Sequence, residues 1–228
     1  MKPSAVFADS ARPHPAVIGL PSAPRADAAQ RHGEHEVLFL QGDPADRLYE
    51  LVEGAVMLYK ILPDGRRQVV ELLGPGDLFG MAADDTHDCA AETLTTATIR
   101  AHDRAAIERS PEQMRRLGRR LHAQICALHE HTVLLGRMSA LERVASFIMR
   151  HVPGHGGPAC AGRRRAAEQP VIHLSMTRQE IADYLGLTLE TVSRTFSELR
   201  RRGVITVEKQ DRIRITDVCG TCSLTGAA

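Results

Sequence analysis

The sequence predicts an α+β chain: an antiparallel β-roll of the jelly-roll kind, then one long helix, then a small winged helix-turn-helix domain. Three observations carry this. Between Glu34 and His102, short apolar alternations are punctuated by Gly, Pro and Asp, the pattern of many short strands. From Pro111 onward, apolar residues recur at three- and four-residue steps across about three heptads. Residues 176–204, MTRQEIADYLGLTLETVSRTFSELRRRGV, read as two short helices joined by a tight turn.

Bulk properties bound the answer. A chain of 228 residues can hold two domains with proper cores. Its formal net charge of +1 excludes a generic polycation. Charge is uneven, however: Arg163 to Arg214 hold eleven Lys or Arg against seven Asp or Glu, an excess that suits phosphate contacts by one domain. No run of 18 apolar residues occurs, so no membrane-spanning helix is expected. Residues 1–33 read as a flexible tail, since five prolines fall among the first 30 residues and no signal-peptide segment is present. Val17, Ile18 and Leu20 offer that tail a weak docking point. The cysteines are Cys89, Cys126, Cys160, Cys219 and Cys222, an odd number without framework spacing, which fits a reducing, cytoplasmic compartment.

Residues 34–110 are assigned to the roll. Its strand candidates are Val37–Leu40, Leu48–Val52, Val56–Ile61, Val69–Leu73 and Thr93–Ile99, with turns at residues 42–44, 63–65 and 74–77. The stretch QGDPADRLYELVEGAVMLYKILPDGRRQVVELLGPGDLFG resembles the β-roll of cyclic-nucleotide-binding domains. In the nucleotide binders, the segment that follows holds a Gly-Glu-Leu for the ribose and an Arg-Ser or Arg-Thr for the cyclic phosphate. Here Met81 replaces the Glu, no Arg occurs before Arg100, and Asp84, Asp85 and Asp88 would repel an anion. No cyclic nucleotide is therefore expected. A four-iron cluster would need about four thiolates, and residues 1–88 hold none. No cofactor is expected, and the input is left to abundance, redox state, oligomerisation or proteolysis.

Residues 111–137 form the long helix, with Pro111 suited to its first turn. Met114, Gly118, Leu121, Ile125, Leu128, Thr132 and Leu135 make its seam, and Met114, Leu121, Ile125, Leu128 and Leu135 are the candidate dimer contacts. His122, Cys126 and His129 share a face and are weak metal candidates; the alternative is that His122 and His129 flank the seam while Cys126 points outward. Gly136 is the expected hinge. Ser139 and Glu142 form a capping box that opens the next helix, with Leu141, Val144, Ala145, Ile148 and Val152 inward.

The reader occupies residues 138–217. Arg163, Arg164 and Arg165 sit in a Gly- and Ala-rich loop and offer phosphate contacts or simple solvation. Thr177 with Glu180 makes a second capping box, and Gly186 stands where a helix exit needs a positive φ. The second helix runs on from Thr188, with Leu189, Val192, Phe196 and Leu199 on its apolar face. Glu190, Ser193 and Arg194 near its start carry base-reading chemistry: acceptance from cytosine, a hydroxyl, and a bidentate donor for guanine. Thr177, Arg178, Thr188, Thr191, Arg200, Lys209 and Arg212 are candidates for the DNA backbone. A wing hairpin is expected from Ile205–Val207 and Ile213–Ile215.

TRQEIADYLGLTLETVSRTFSEL resembles the helix-turn-helix of the Crp/Fnr superfamily, and ETVSR matches its Fnr and FixK side. Cyclic-AMP-dependent members carry Arg and Gly where this chain has Leu189 and Ser193. The resemblance implies a non-enzymatic transcription regulator that binds double-stranded DNA as a homodimer at a TTGA-type palindrome. It further implies an activator that engages RNA polymerase, in nitrogen-fixation or low-oxygen control. Two alternatives stay open. One is the same fold answering to an unrecognised small ligand, metal or redox signal. The other is a thiol- or metal-binding protein acting through Cys219 and Cys222, a CxxC in what reads as a tail over residues 218–228.

Overall fold

The computed structural model describes residues 29–152, 169–209 and 211–226. Two compact units emerge, one within residues 15–131 and the other within 132–228. Val17, Ile18, Leu20, Cys160 and Arg163 to Arg165 lie outside the described residues.

The first unit is built on two four-stranded antiparallel sheets. Its strands are β1 (Gln30–His32), β2 (Val37–Phe39), β3 (Arg47–Glu53), β4 (Val56–Ile61), β5 (Arg67–Leu73), β6 (Leu78–Phe79), β7 (Ala90–Thr93) and β8 (Ala97–Asp103). One sheet has the order β1-β8-β3-β6 and the other β2-β7-β4-β5. Alternation points Phe39, Leu51, Val56, Leu58, Leu73, Phe79, Ala91 and Ile99 into a shared core. Gly54 turns β3 into β4 at φ +95°, and a Cβ there would lie 2.6 Å from the Thr96 carbonyl oxygen, so no other residue fits.

Three expectations change here. The roll starts at Gln30, inside the stretch read as tail, because β1 pairs with β8. β6 was not foreseen. The single strand expected over Thr93–Ile99 is two strands, because the Leu94 amide donates to the Ala55 carbonyl and the Ala55 amide donates to Thr95 Oγ1.

A short helix, α1 (Arg104–Glu108), leads into α2 (Pro111–Arg137). On α2, Leu117 is buried and Leu121 half-buried, packed with Leu48, Leu78 and Ile107 of the roll. Leu121, assigned to the dimer seam, thus also packs on the roll. Met114, Ile125 and Leu128 are exposed, and Leu135 is half-buried. Gly136 lies within the last turn of the helix, and the division between units falls earlier, after His131.

The second unit holds α3 (Ala140–Arg150), β9 (Val171–His173), α4 (Arg178–Leu185), α5 (Leu189–Arg201), β10 (Ile205–Lys209), β11 (Arg212–Ile215) and α6 (Val218–Ser223). Ser139 and Glu142 cap α3 reciprocally. The helix buries Val144, Ala145, Phe147, Ile148 and Met149. Strands β10, β11 and β9 form an antiparallel sheet in that order. Residues 218–223, read as tail, are helical: Asp217 caps them by accepting from the Gly220 amide at 2.8 Å, and Thr221 is fully buried.

Candidate nucleic-acid interface

The two helices of the turn motif are held by local chemistry. Thr177 accepts from the Glu180 amide at 3.2 Å while its own amide donates to Glu180 Oε2 at 2.7 Å, which satisfies two otherwise orphaned donors. At the other end of α4, Gly186 adopts φ 61°, and its amide donates to the Ala182 carbonyl. Thr188 caps α5, accepting from the Thr191 amide at 3.2 Å. Val192, Thr195, Phe196 and Leu199 are the buried face of α5. Thr195, a polar residue in an apolar row, donates to the Thr191 carbonyl at 2.7 Å and so carries no unsatisfied group.

Arg143, which sequence reasoning missed, fixes this arrangement from α3. It donates to the carbonyls of Leu135 at 2.7 Å, Met138 at 2.9 Å and Leu185 at 2.8 Å, capping the C-terminal ends of α2 and α4 together. No local pattern announces such a role, since its acceptors come from separate helix ends.

The outward face of α5 is the candidate surface. Glu190, Ser193 and Arg194 are all exposed, and among the described residues their side chains have neither an ion pair nor a hydrogen bond. Ser197 and Arg201, also missed, continue the same face one and two turns on and line a shallow groove with Ser193, Arg194 and Glu198. Their four-residue spacing was the available signal. Leu189, expected inward, is 44% exposed beside Glu190, because the cap at Thr188 turns the first helical residue outward.

The backbone-contact candidates divide. Arg200 and Lys209 are exposed, and among the described residues neither has an ion pair. Thr177, Thr188 and Thr191 are engaged in caps. Arg178 is half-buried with its guanidinium 3.6 Å from the Phe196 ring centroid, and burial lowers its pKa from the usual arginine value. Arg212 is paired with Glu208 at 2.7 Å. Around it, Glu208 also takes Arg214, while Glu198 takes Arg201 and Arg202.

The roll presents different chemistry. Glu50, 2% exposed, meets Arg100 at 3.0 Å, Arg120 of α2 at 3.3 Å and His102 at 3.4 Å. Burial alone would push its carboxyl up; the His102 hydrogen bond and the two guanidinium charges outweigh that and hold it below the usual range. Gln124 of α2 donates to Glu71 at 3.1 Å and to the Leu78 carbonyl at 2.9 Å. Burial pushes Glu71 up to about 7. The segment after Gly80 does not fit a cyclic phosphate: Lys60 is tied to Asp88 at 3.2 Å, Arg104 is spent on the carbonyls of Ala45 and Asp84, and Arg100 is held by Glu50. His122, Cys126 and His129 of α2 do not converge on a common point among the described residues.

The turn motif and the roll each match a family model: a Crp-like helix-turn-helix domain over residues 142–220 and a cyclic nucleotide-binding domain over residues 29–112. The transcriptional activatory protein AadR of Rhodopseudomonas palustris is 37% identical over 82% of this chain and 77% of its own length. The chain belongs to the Crp/Fnr family. Within that family, the nitrogen fixation regulation protein FixK of Bradyrhizobium diazoefficiens is 39% identical over 75% of this chain and 71% of its own. Among solved structures, FixK2 from Bradyrhizobium japonicum superposes with a TM-score of 0.74 at 33% identity, covering 90% of this chain and 99% of that one. These Crp/Fnr relatives agree with the FixK side read from ETVSR. No helix among the described residues is long and apolar enough to cross a membrane.

Proposed function

We propose that this chain is a DNA-binding transcription activator of the Crp/Fnr family that reads a TTGA-containing palindrome as a homodimer through Glu190, Ser193 and Arg194. One observation carries the reading: these three side chains stand exposed on the start of α5 and are not engaged with their own protein. Helix N-terminal residues are the ones that reach base edges when a recognition helix enters the major groove. Arg194 donates to guanine O6 and N7, Glu190 accepts from the cytosine amino group, and Ser193 approaches a neighbouring edge. Arg200 and Lys209 supply phosphate contacts that orient the helix.

A two-fold site requires a two-fold protein. The exposed apolar side chains of Met114, Ile125 and Leu128 on α2 support a parallel helix pair as the dimer contact. Binding rather than catalysis is the chain's activity, and contact of the bound dimer with RNA polymerase follows from the activator reading.

Gel-shift titration of Arg194→Ala tests the assignment. A loss of about 1–3 kcal/mol per half-site, with relaxed preference at the G·C pair, is expected. Binding as tight and as selective as the wild type would sink it. Sedimentation of Ile125→Asp should give a monomer if α2 is the dimer seam; an unchanged dimer would move the interface elsewhere.

A further inference from the structure

The CxxC at Cys219 and Cys222 is the motif the DNA reading leaves unused. Both residues lie on α6, Cys219 exposed and Cys222 half-buried, with no bond between the sulfurs. Three residues apart on a helix, their Cα atoms stand about 5 Å from each other, inside the separation of about 4.4–6.8 Å that a disulfide spans. Cys219 therefore meets solvent, with Cys222 one helical turn away. Cys89 is the contrast: burial pushes its thiol up to about 12, so it carries no thiolate at neutral pH.

α6 is bolted to the end of the recognition helix. The amides of Thr216 and Asp217 donate to the Val204 carbonyl at 3.0 and 3.2 Å, Thr216 Oγ1 donates to the Gly203 carbonyl at 2.6 Å, and Thr221 Oγ1 donates to Val204 at 3.4 Å. Asp217 also closes over Gly220, where a Cβ would lie 2.3 Å from its Oδ2. A disulfide draws two Cβ atoms to about 3.8 Å, closer than the roughly 5–6 Å of helical neighbours. Closing it must tighten this turn and pull on Val204.

We propose that Cys219 and Cys222 are a modification site, a dithiol that a hydroperoxide oxidises to an intrachain disulfide, lowering the chain's affinity for DNA. The effect on DNA rests on the reader assigned above. In the first step the Cys219 thiolate attacks the peroxide, its sulfur is oxidised to a sulfenic acid and, with one proton taken up, water leaves. In the second, Cys222 displaces the sulfenic oxygen as water and the S–S bond forms. Two thiols and one hydrogen peroxide give one disulfide and two waters. A thiol reductant reverses the step.

The test uses the full chain. After treatment with hydrogen peroxide and alkylation, trypsin releases residues 215–228, which carry both cysteines and no other. That peptide should be unalkylated and two hydrogens lighter, returning to the doubly alkylated form after dithiothreitol. Oxidised wild type should bind DNA more weakly than reduced, while Cys219→Ser and Cys222→Ser hold their affinity under peroxide. A peptide that gains oxygen atoms, stays fully alkylated or links two chains overturns the site. An intrachain disulfide with unchanged DNA affinity overturns the coupling. The mass readout needs no DNA, so a reduced protein that fails to bind would count against the reader alone.

Discussion

The roll and the reader handle polar groups in opposite ways. In the roll, two carboxylates are turned inward: Glu50 is enclosed by Arg100, Arg120 and His102, and Glu71 is half-buried against Gln124. In the reader, the candidate base-reading charges of α5 near its start face water and are unengaged among the described residues. A buried charge must be matched or it is strongly unfavourable, so Glu50 and its partners serve as structure. An exposed side chain without a partner contributes little to stability and is available to a ligand. The contrast identifies which half of the chain is built to meet something outside itself through side-chain chemistry.

The largest effect that would break this comparison belongs to Glu50. Glu50→Gln leaves two arginines and a histidine around a neutral amide, and urea denaturation should register a loss of about 3–5 kcal/mol. Because the Glu50 carboxyl is held below its usual range, its contribution is present above about pH 4.3. It is lost as pH falls through the depressed folded value. A wild-type stability that the variant matches at neutral pH would mean that the enclosure is incidental. Next in size is Arg143, which holds three backbone carbonyls. Arg143→Met should cost about 2–3 kcal/mol through three abandoned carbonyls, with a lower urea midpoint as the readout.

Glu71 gives a smaller signal, seen as a slope. Its folded pKa, about 7, lies above the unfolded carboxylate value. Its contribution is therefore full below about pH 4.3 and lost as pH rises through 7. Urea midpoints at pH 5 and pH 8 should differ less in Glu71→Gln than in the wild type; equal differences would remove Glu71 from the account. The smallest effect is the sharpest statement about the reader: Arg194→Ala should leave the melting stability within about 0.5 kcal/mol of wild type, so that any DNA defect is one of contact and not of folding.

What was legible in the sequence was what is decided locally. Both capping boxes, the positive φ of Gly186 and the outward set Glu190, Ser193 and Arg194 depend on spacings of three or four residues, and all are present as read. What was missed depends on distant partners. Thr93–Ile99 looks like one strand until Ala55, some forty residues away, breaks it. Arg178 reads as a free cation until Phe196 packs beneath it. The small residues of α6 have no helical signature of their own and are ordered by Val204. Position along the chain gave their identity but not their company.

Two carboxylates in the reader have a wider consequence. Glu198 and Glu208 each hold two arginines, so four guanidiniums are partly neutralised before any nucleic acid arrives. Each phosphate contact releases counterions and adds about 0.9 to the slope of log affinity against log salt. With Arg201, Arg202, Arg212 and Arg214 already paired, the expected slope is shallower than the arginine count alone would give, and DNA affinity titrated against salt measures it.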